Sequence, residues 1–149
     1  MSPSEKPYRL LRQQMDQQLK PLIAAGPNLI PPGGWIRPLR MAIRMTQQQL
    51  ADRMSISRQA ARQIEQREQT GALSLATMKA VAQAMDMEFI YGFIPKEGNL
   101  EDHLDRQALK AARAQAPSYT DMMVRKLANS MKEKPLPSIW GGRRYWFRR

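Results

Sequence analysis

Two helix-start signals, Thr46 and Ser57, stand so close together that the first can open only a short helix before the second begins. Gln49 lies three residues after Thr46, which completes a capping box in which hydroxyl and amide side chains satisfy the free backbone groups of a first helical turn. Ser55-Ile56 is a tight connection, and Ser57 opens the next helix. The spacing therefore predicts a helix over 47–54 and another from Arg58 to about Gln66. Two short helices joined by a short turn need a small residue where they cross, and Ala51 fits that crossing. Ile56 can plug the gap between them, and Leu50, Met54, Ala61 and Ile64 supply the buried faces.

The punctuation continues on both sides. Residues 35–44 read as a helix with Ile36, Leu39 and Ile43 on one face, and Pro38 falls in the first turn, where the missing amide hydrogen costs nothing. Ser74 caps a helix over 75–85 with Leu75, Met78, Ala82 and Met85 on one face. Upstream, Leu11, Met15 and Leu19 mark a helix over 5–19 that Lys20-Pro21 should end or kink, with Leu22 and Ile23 able to add a further turn. Gly26-Pro27 is a further stop signal, and Pro31-Pro32-Gly33-Gly34 is a linker. Downstream, Leu104, Ala108, Leu109 and Ala112 mark a helix over 101–115. Ser118 or Thr120 opens another through Met123, Leu127 and Met131. The expected organisation is an N-terminal helical extension and linker (1–34), a helical core with a following strand (35–98), and C-terminal helices with a basic, aromatic tail (99–149).

The strand is residues 89–94, where Phe89, Tyr91 and Phe93 alternate with Ile90, Gly92 and Ile94 before Pro95. A lone strand leaves backbone groups unpaired, so it needs a partner. Pairing with its copy across a twofold axis makes Phe89, Ile90, Tyr91 and Phe93 candidate dimerisation residues. The alternative is pairing with 144–147 of the same chain.

Charge narrows the partner. The chain carries 24 Lys and Arg against 13 Asp and Glu, a net +11. Such an excess points to a polyanion, either nucleic acid or an anionic membrane surface. No apolar run approaches the roughly 20 residues of a membrane span, and the first residues form no hydrophobic leader, so a cytoplasmic protein is expected. Zero Cys excludes disulfides, thiolate zinc sites and thiol nucleophiles, and the single His, His103, leaves no His cluster for a metal. No phosphate-cradling Gly-rich loop and no nucleophile elbow is present. Neither an enzyme, a metal nor a cofactor is expected. The four tail arginines, Arg143, Arg144, Arg148 and Arg149, suit phosphate attraction, with Trp140, Trp146 and Phe147 packing back on the core; the alternative is a tail that docks a partner protein. Net charge is +3 over 35–99 (nine basic, six acidic) and +6 over 100–149 (eleven and five), so any special role of the middle must come from pattern.

That pattern lies on the third helix of the core, whose outward face carries Arg58, Gln59, Arg62 and Gln63. Arg can bond both acceptors of guanine in the major groove, and Gln matches the adenine edge. The helix starts at Thr46 and Ser57 offer free amides to phosphates.

Residues 46–65, Thr-Gln-Gln-Gln-Leu-Ala-Asp-Arg-Met-Ser-Ile-Ser-Arg-Gln-Ala-Ala-Arg-Gln-Ile-Glu, resemble the helix-turn-helix of the Cro/repressor family, often called Xre-like. The resemblance implies a mainly α, lambda-repressor-like core. It places phosphate and base contacts on Gln47, Arg58, Gln59 and Gln63, with Arg62 adjacent and Thr46 and Ser57 as capping neighbours. The family usually has a small residue or Asn-Gly after the recognition helix; Gln66-Arg67-Glu68 stands there instead.

A longer stretch resembles the mobile mystery protein A family. It runs through Pro-Pro-Gly-Gly-Trp-Ile-Arg, Gln-Gln-Leu-Ala-Asp-Arg-Met, Ser-Leu-Ala-Thr-Met-Lys and Met-Glu-Phe-Ile-Tyr-Gly-Phe-Ile-Pro. Members of that family accompany a Fic-domain partner protein on mobile elements, which implies a regulator or an antitoxin. The Ser/Thr-x-x-x-Glu-Gly/Asn inhibitory motif of Fic antitoxins is absent, which favours transcriptional repression over plugging an active site. The expected function is double-stranded DNA binding by a homodimer on a palindromic operator, with repression by occlusion.

Overall fold

The computed structural model describes residues 6–133 and 138–140. The chain is mainly helical. Among the described residues seven α-helices follow in order: α1 (Lys6–Ala25), α2 (Ile36–Ala42), α3 (Gln47–Met54), α4 (Arg58–Gln69), α5 (Leu75–Ala84), α6 (Leu100–Gln115) and α7 (Asp121–Glu133). Short 3-10 turns occupy Pro27–Leu29 and Ser138–Trp140. Residues 25–92 form one compact unit, and the described residues before 25 and after 92 form a second.

The first unit holds α2 to α5 around Ile36, Leu50, Val81, Ala84 and Met85, with Leu39, Met45, Met54, Ile64 and Met78 half-buried against them. Leu50, Ala51 and Ala61 are wholly buried. Ala51 and Ala61 are small enough for α3 and α4 to cross closely. Ser57 and Ser74 accept the amides of Ala60 and Thr77, and Thr46 and Gln49 form the full capping box, each cap contributing about 1 kcal/mol.

The other ends of these helices follow one rule. Arg44, Ser55, Gly71 and Asp86 adopt the left-handed conformation just after α2, α3, α4 and α5. In each case the next amide reaches five residues back: Met45 to Arg40, Ile56 to Ala51, Ala72 to Arg67 and Met87 to Ala82, at 2.8–3.0 Å. This closure satisfies carbonyls that a helix end otherwise exposes, and the residue that closes it is apolar every time. Three of the four left-handed positions are not glycine, so the turns hold through packing and hydrogen bonding, against a modest conformational cost.

In the second unit α6 and α7 share a core of Ala108, Ala112, Val124, Ala128, Met131 and Ile139. Asn99 and Asp102 form a capping box at the start of α6. No residue of α1 is fully buried; it is tied to α6 by Arg12 Nε to Glu101 Oε2 (2.6 Å) and by the Leu100 amide donating to Asp16 Oδ1 (2.9 Å).

Several expectations need correction. No strand forms among the described residues; residues 89–94 are irregular chain. A strand is a ladder of hydrogen bonds, and no ladder partner for this segment lies among the described residues. The alternation survives only as a ring stack between Phe89 and Tyr91, with centroids 6.1 Å apart. Helix α1 runs through Pro21 to Ala25. Pro21 and Gln17 are both exposed, so water can serve the carbonyl that loses its amide partner. The expected inward faces of two helices hold except at one residue each: Met78, Ala82 and Met85 of the α5 set, and Leu127 and Met131 of the α7 set, lie in or against the core. Val81 is buried in α5 while Leu75 is exposed, and Val124 and Ala128 are buried in α7 while Met123 is exposed. Ile43 ends α2 in the open, and it is Arg40 that turns inward. In the tail, Ile139 is the buried residue; Trp140 is half-exposed and stacks on His103 at 6.0 Å. Trp146, Phe147, the strand-capable 144–147 stretch and the four tail arginines lie outside the described residues.

Candidate nucleic-acid interface

Helix α4 is longer than its sequence signals suggest, and its two acids explain why. Glu65 and Glu68 both leave the solvent face. Glu65 is buried and meets Arg40 of α2, with Nε to Oε1 at 2.6 Å and Nη2 to Oε2 at 3.4 Å. Arg40 Nη1 also donates to the Met45 carbonyl at 2.9 Å. Glu68 accepts the backbone amides of Trp35 (2.7 Å) and Ile36 (2.9 Å), capping α2, whose own N-cap residue Trp35 supplies no side-chain cap. A helix ending at Gln66 would leave that helix start bare. The Gln66-Arg67-Glu68 departure from the usual family pattern thus adds a last turn to α4, and Gly71 closes it.

With both acids withdrawn, the exposed residues of α4 between Arg58 and Gln63 carry only cations and carboxamides. Arg58, Gln59, Arg62 and Gln63 are all exposed, as are Gln66 and Arg67 beyond them. This is a guanidinium and carboxamide face with no carboxylate to repel a phosphate or to compete for the arginines.

The caps bring further donors. Thr46 Oγ1 accepts from the Gln49 amide at 3.0 Å and Ser57 Oγ from the Ala60 amide at 3.1 Å. Each hydroxyl hydrogen remains able to donate to an anion. The first-turn amides of α3 and α4 have no intrahelical acceptor and carry the positive end of the helix dipole. Gln47 is half-buried, and its Nε2 donates to Glu65 Oε2 at 3.0 Å. One carboxamide hydrogen is thus committed to the interior, and the second, with the Gln47 backbone amide, is what the residue can offer outward. Sequence reasoning missed Arg40, Glu65 and Glu68. Their signal was weak: Arg40 sits on the same face of α2 as Ile36, four residues before it.

No group of His, Asp or Glu among the described residues could hold a metal ion. No described helix is long and apolar enough to cross a membrane.

This arrangement, a short helix, a two-residue turn on a left-handed Ser55 and a second helix with an acid-free polar face, is that of a helix-turn-helix. Residues 36–91 match the helix-turn-helix family model. They form a helix-turn-helix domain of the Xre-like type, which supports a DNA-binding regulator of that type. No curated protein and no solved structure matches the chain. The match covers α2 to α5 and the irregular segment up to Tyr91; α1, α6 and α7 lie outside it.

Proposed function

We propose that the protein represses transcription by binding an operator in double-stranded DNA, with α4 as the reading helix. The carrying observation is the acid-free exposed face of α4. In this reading Arg58, Gln59 and Gln63 address base edges in the major groove, with Arg62 beside them. Thr46, Gln47 and Ser57 address phosphates that fix the register. Repression follows from occupancy, since no chemistry on the DNA is required.

The acting species in this proposal is a homodimer. Phe89, Ile90, Tyr91 and Phe93 supply the contact; the last three are 75%, 61% and 84% exposed, more than isolated apolar residues in water favour. A twofold dimer presents two α4 helices to half-sites about one helical turn apart, so the operator is palindromic. Paired across the axis, the 89–94 segment would gain the ladder partner it otherwise lacks. The resemblance to mobile mystery protein A adds a Fic-domain protein as a candidate neighbour, and repression of the operon that encodes both is then the expected relation.

Selecting duplex fragments from a random pool with the purified chain tests the proposal. A palindromic consensus is expected, and binding to it should weaken with salt on a log-log slope steeper than about −4, since each phosphate contact contributes roughly −0.9. An unenriched pool, or a slope near zero, would remove DNA as the partner.

A further inference from the structure

The α6–α7 pair carries a groove that the DNA reading does not use. Two adjoining cavities of 250 Å³ and 170 Å³ lie along it and share Leu109 and Arg125. Ala108, Val124 and Ala128 contribute apolar lining. Each end is closed by an ion pair across the helices, Arg113 with Asp121 and Asp105 with Lys132. From Asp105 to Arg113 the groove runs eight residues along α6, about 12 Å at the helical rise. That length suits two turns of a docked helix or a few extended residues.

Its central cation acts only weakly, through its charge, on Asp121. Arg125 is exposed and makes no hydrogen bond or ion pair among the described residues, whereas the groove's other cations, Arg113 and Lys132, each hold a carboxylate. Three residues before Arg125, on the same face of α7, Met122 is 78% exposed. An apolar floor, an adaptable methionine and a guanidinium without a hydrogen-bonded partner among the described residues together match a ligand that is apolar and acidic at once.

We propose that this groove docks an acidic, amphipathic segment of a partner protein, with an apolar side chain over Leu109 and an Asp or Glu on Arg125. Phosphate could use Arg125 but not the apolar floor or Met122, so DNA fits half of the surface and an acidic peptide fits all of it. The surface belongs to the unit that does not contain α4, and its test does not depend on DNA recognition.

The test selects short peptides from a random display library on the full chain and measures the enriched peptides by fluorescence anisotropy. Wild type is compared with Arg125→Glu, a charge reversal at an exposed site, and with Lys79→Glu, an equal reversal on α5. Circular dichroism checks that both keep their helices. Enriched sequences should combine Asp or Glu with large apolar residues, and Arg125→Glu should weaken them about tenfold or more while Lys79→Glu leaves them within about twofold. The proposal is overturned by an unenriched library, by peptides without acids, or by equal loss in both variants, which would mark a net-charge effect. It is also overturned if Arg125→Glu weakens random duplex DNA instead of peptide, or converts a dimer to monomer in sedimentation. Those outcomes assign the groove to DNA or to a second copy.

Discussion

Arg40 and Glu65 meet inside the helix-turn-helix unit at 2.6 Å, with their side chains 9% and 5% exposed. The pair joins α2 to the middle of α4, and Gln47 joins α3 to the same carboxylate. Three of the four helices of the unit are thus referenced to one buried acid. Such a pair gains little net stability, because desolvating two charges offsets most of their attraction, but removing one partner strands the other. Glu65→Ala should therefore cost about 3–5 kcal/mol, while the double change Arg40→Met with Glu65→Leu should cost far less or nothing. Gln47→Ala removes one hydrogen bond and should cost about 1 kcal/mol or somewhat more, since the acceptor is charged. Urea unfolding of the three variants checks this; a double variant as unstable as Glu65→Ala would show that the polar geometry itself carries the fold.

Gly34 tests the second acid. Both Gly33 and Gly34 have positive φ, 85° and 91°, so alanine is strained at either. At Gly33 a Cβ would meet nothing nearer than Gln69 at 3.8 Å, but at Gly34 it would overlap the Glu68 carboxylate that caps α2. Gly34→Ala should be the more destabilising, by about 1–3 kcal/mol over Gly33→Ala, and Glu68→Ala should remove most of that difference. Thermal melts of the three variants and the double variant decide it. Equal losses at the two glycines would mean that Glu68 does not hold the start of α2.

Asp121 gives a pH-dependent contribution. Its hydrogen bond to Arg113, the charge of Arg113 and, more weakly, that of Arg125 hold its carboxyl below the ordinary carboxylate range. A folded-state pKa lowered in this way stabilises the folded chain above the unfolded pKa and stops doing so as pH falls through the folded value. The stability gap between wild type and Asp121→Asn should be constant near neutrality and shrink to nothing in acid. Both groups are largely exposed, so the gap will be small and reduced by salt. A gap independent of pH would show that the ion pair does not act in solution.

The proposed dimer rests on residues 89–93. Proline at Ile90 or Tyr91 removes a ladder donor and disfavours pairing, and neither position lies in a helix. Either variant should shift sedimentation toward monomer with its helix content retained. An unaltered dimer mass would place the interface elsewhere.

How much of this was legible can be seen residue by residue. The starts of α3, α4 and α5 were readable because Thr46, Ser57 and Ser74 cap through local hydrogen bonds that sequence spacing alone defines. The ends were not: Arg44, Ser55 and Asp86 take a left-handed turn without being glycine, held by contacts to Met45, Ile56 and Met87 that form only once the core packs. The exposed face of α4 was readable from helical spacing, and the buried Arg40–Glu65 pair was not, because a charged residue on an inward face looks like a fault in the pattern until its partner arrives from another helix. The strand failed for a related reason. Alternation sets which way side chains point, but a strand exists only with a second backbone beside it.

The most direct measurement is a titration of wild type, Arg58→Ala and Gln63→Ala against the selected operator, its single-base variants and random duplex DNA. If α4 reads bases, Arg58→Ala should cost about 1–3 kcal/mol on the operator, relax the preference at one base pair per half-site and leave random DNA much less affected. Gln63→Ala should act in the same sense at a different base pair. Equal weakening of operator and random DNA by both variants, or no weakening at all, would contradict α4 as the reading helix.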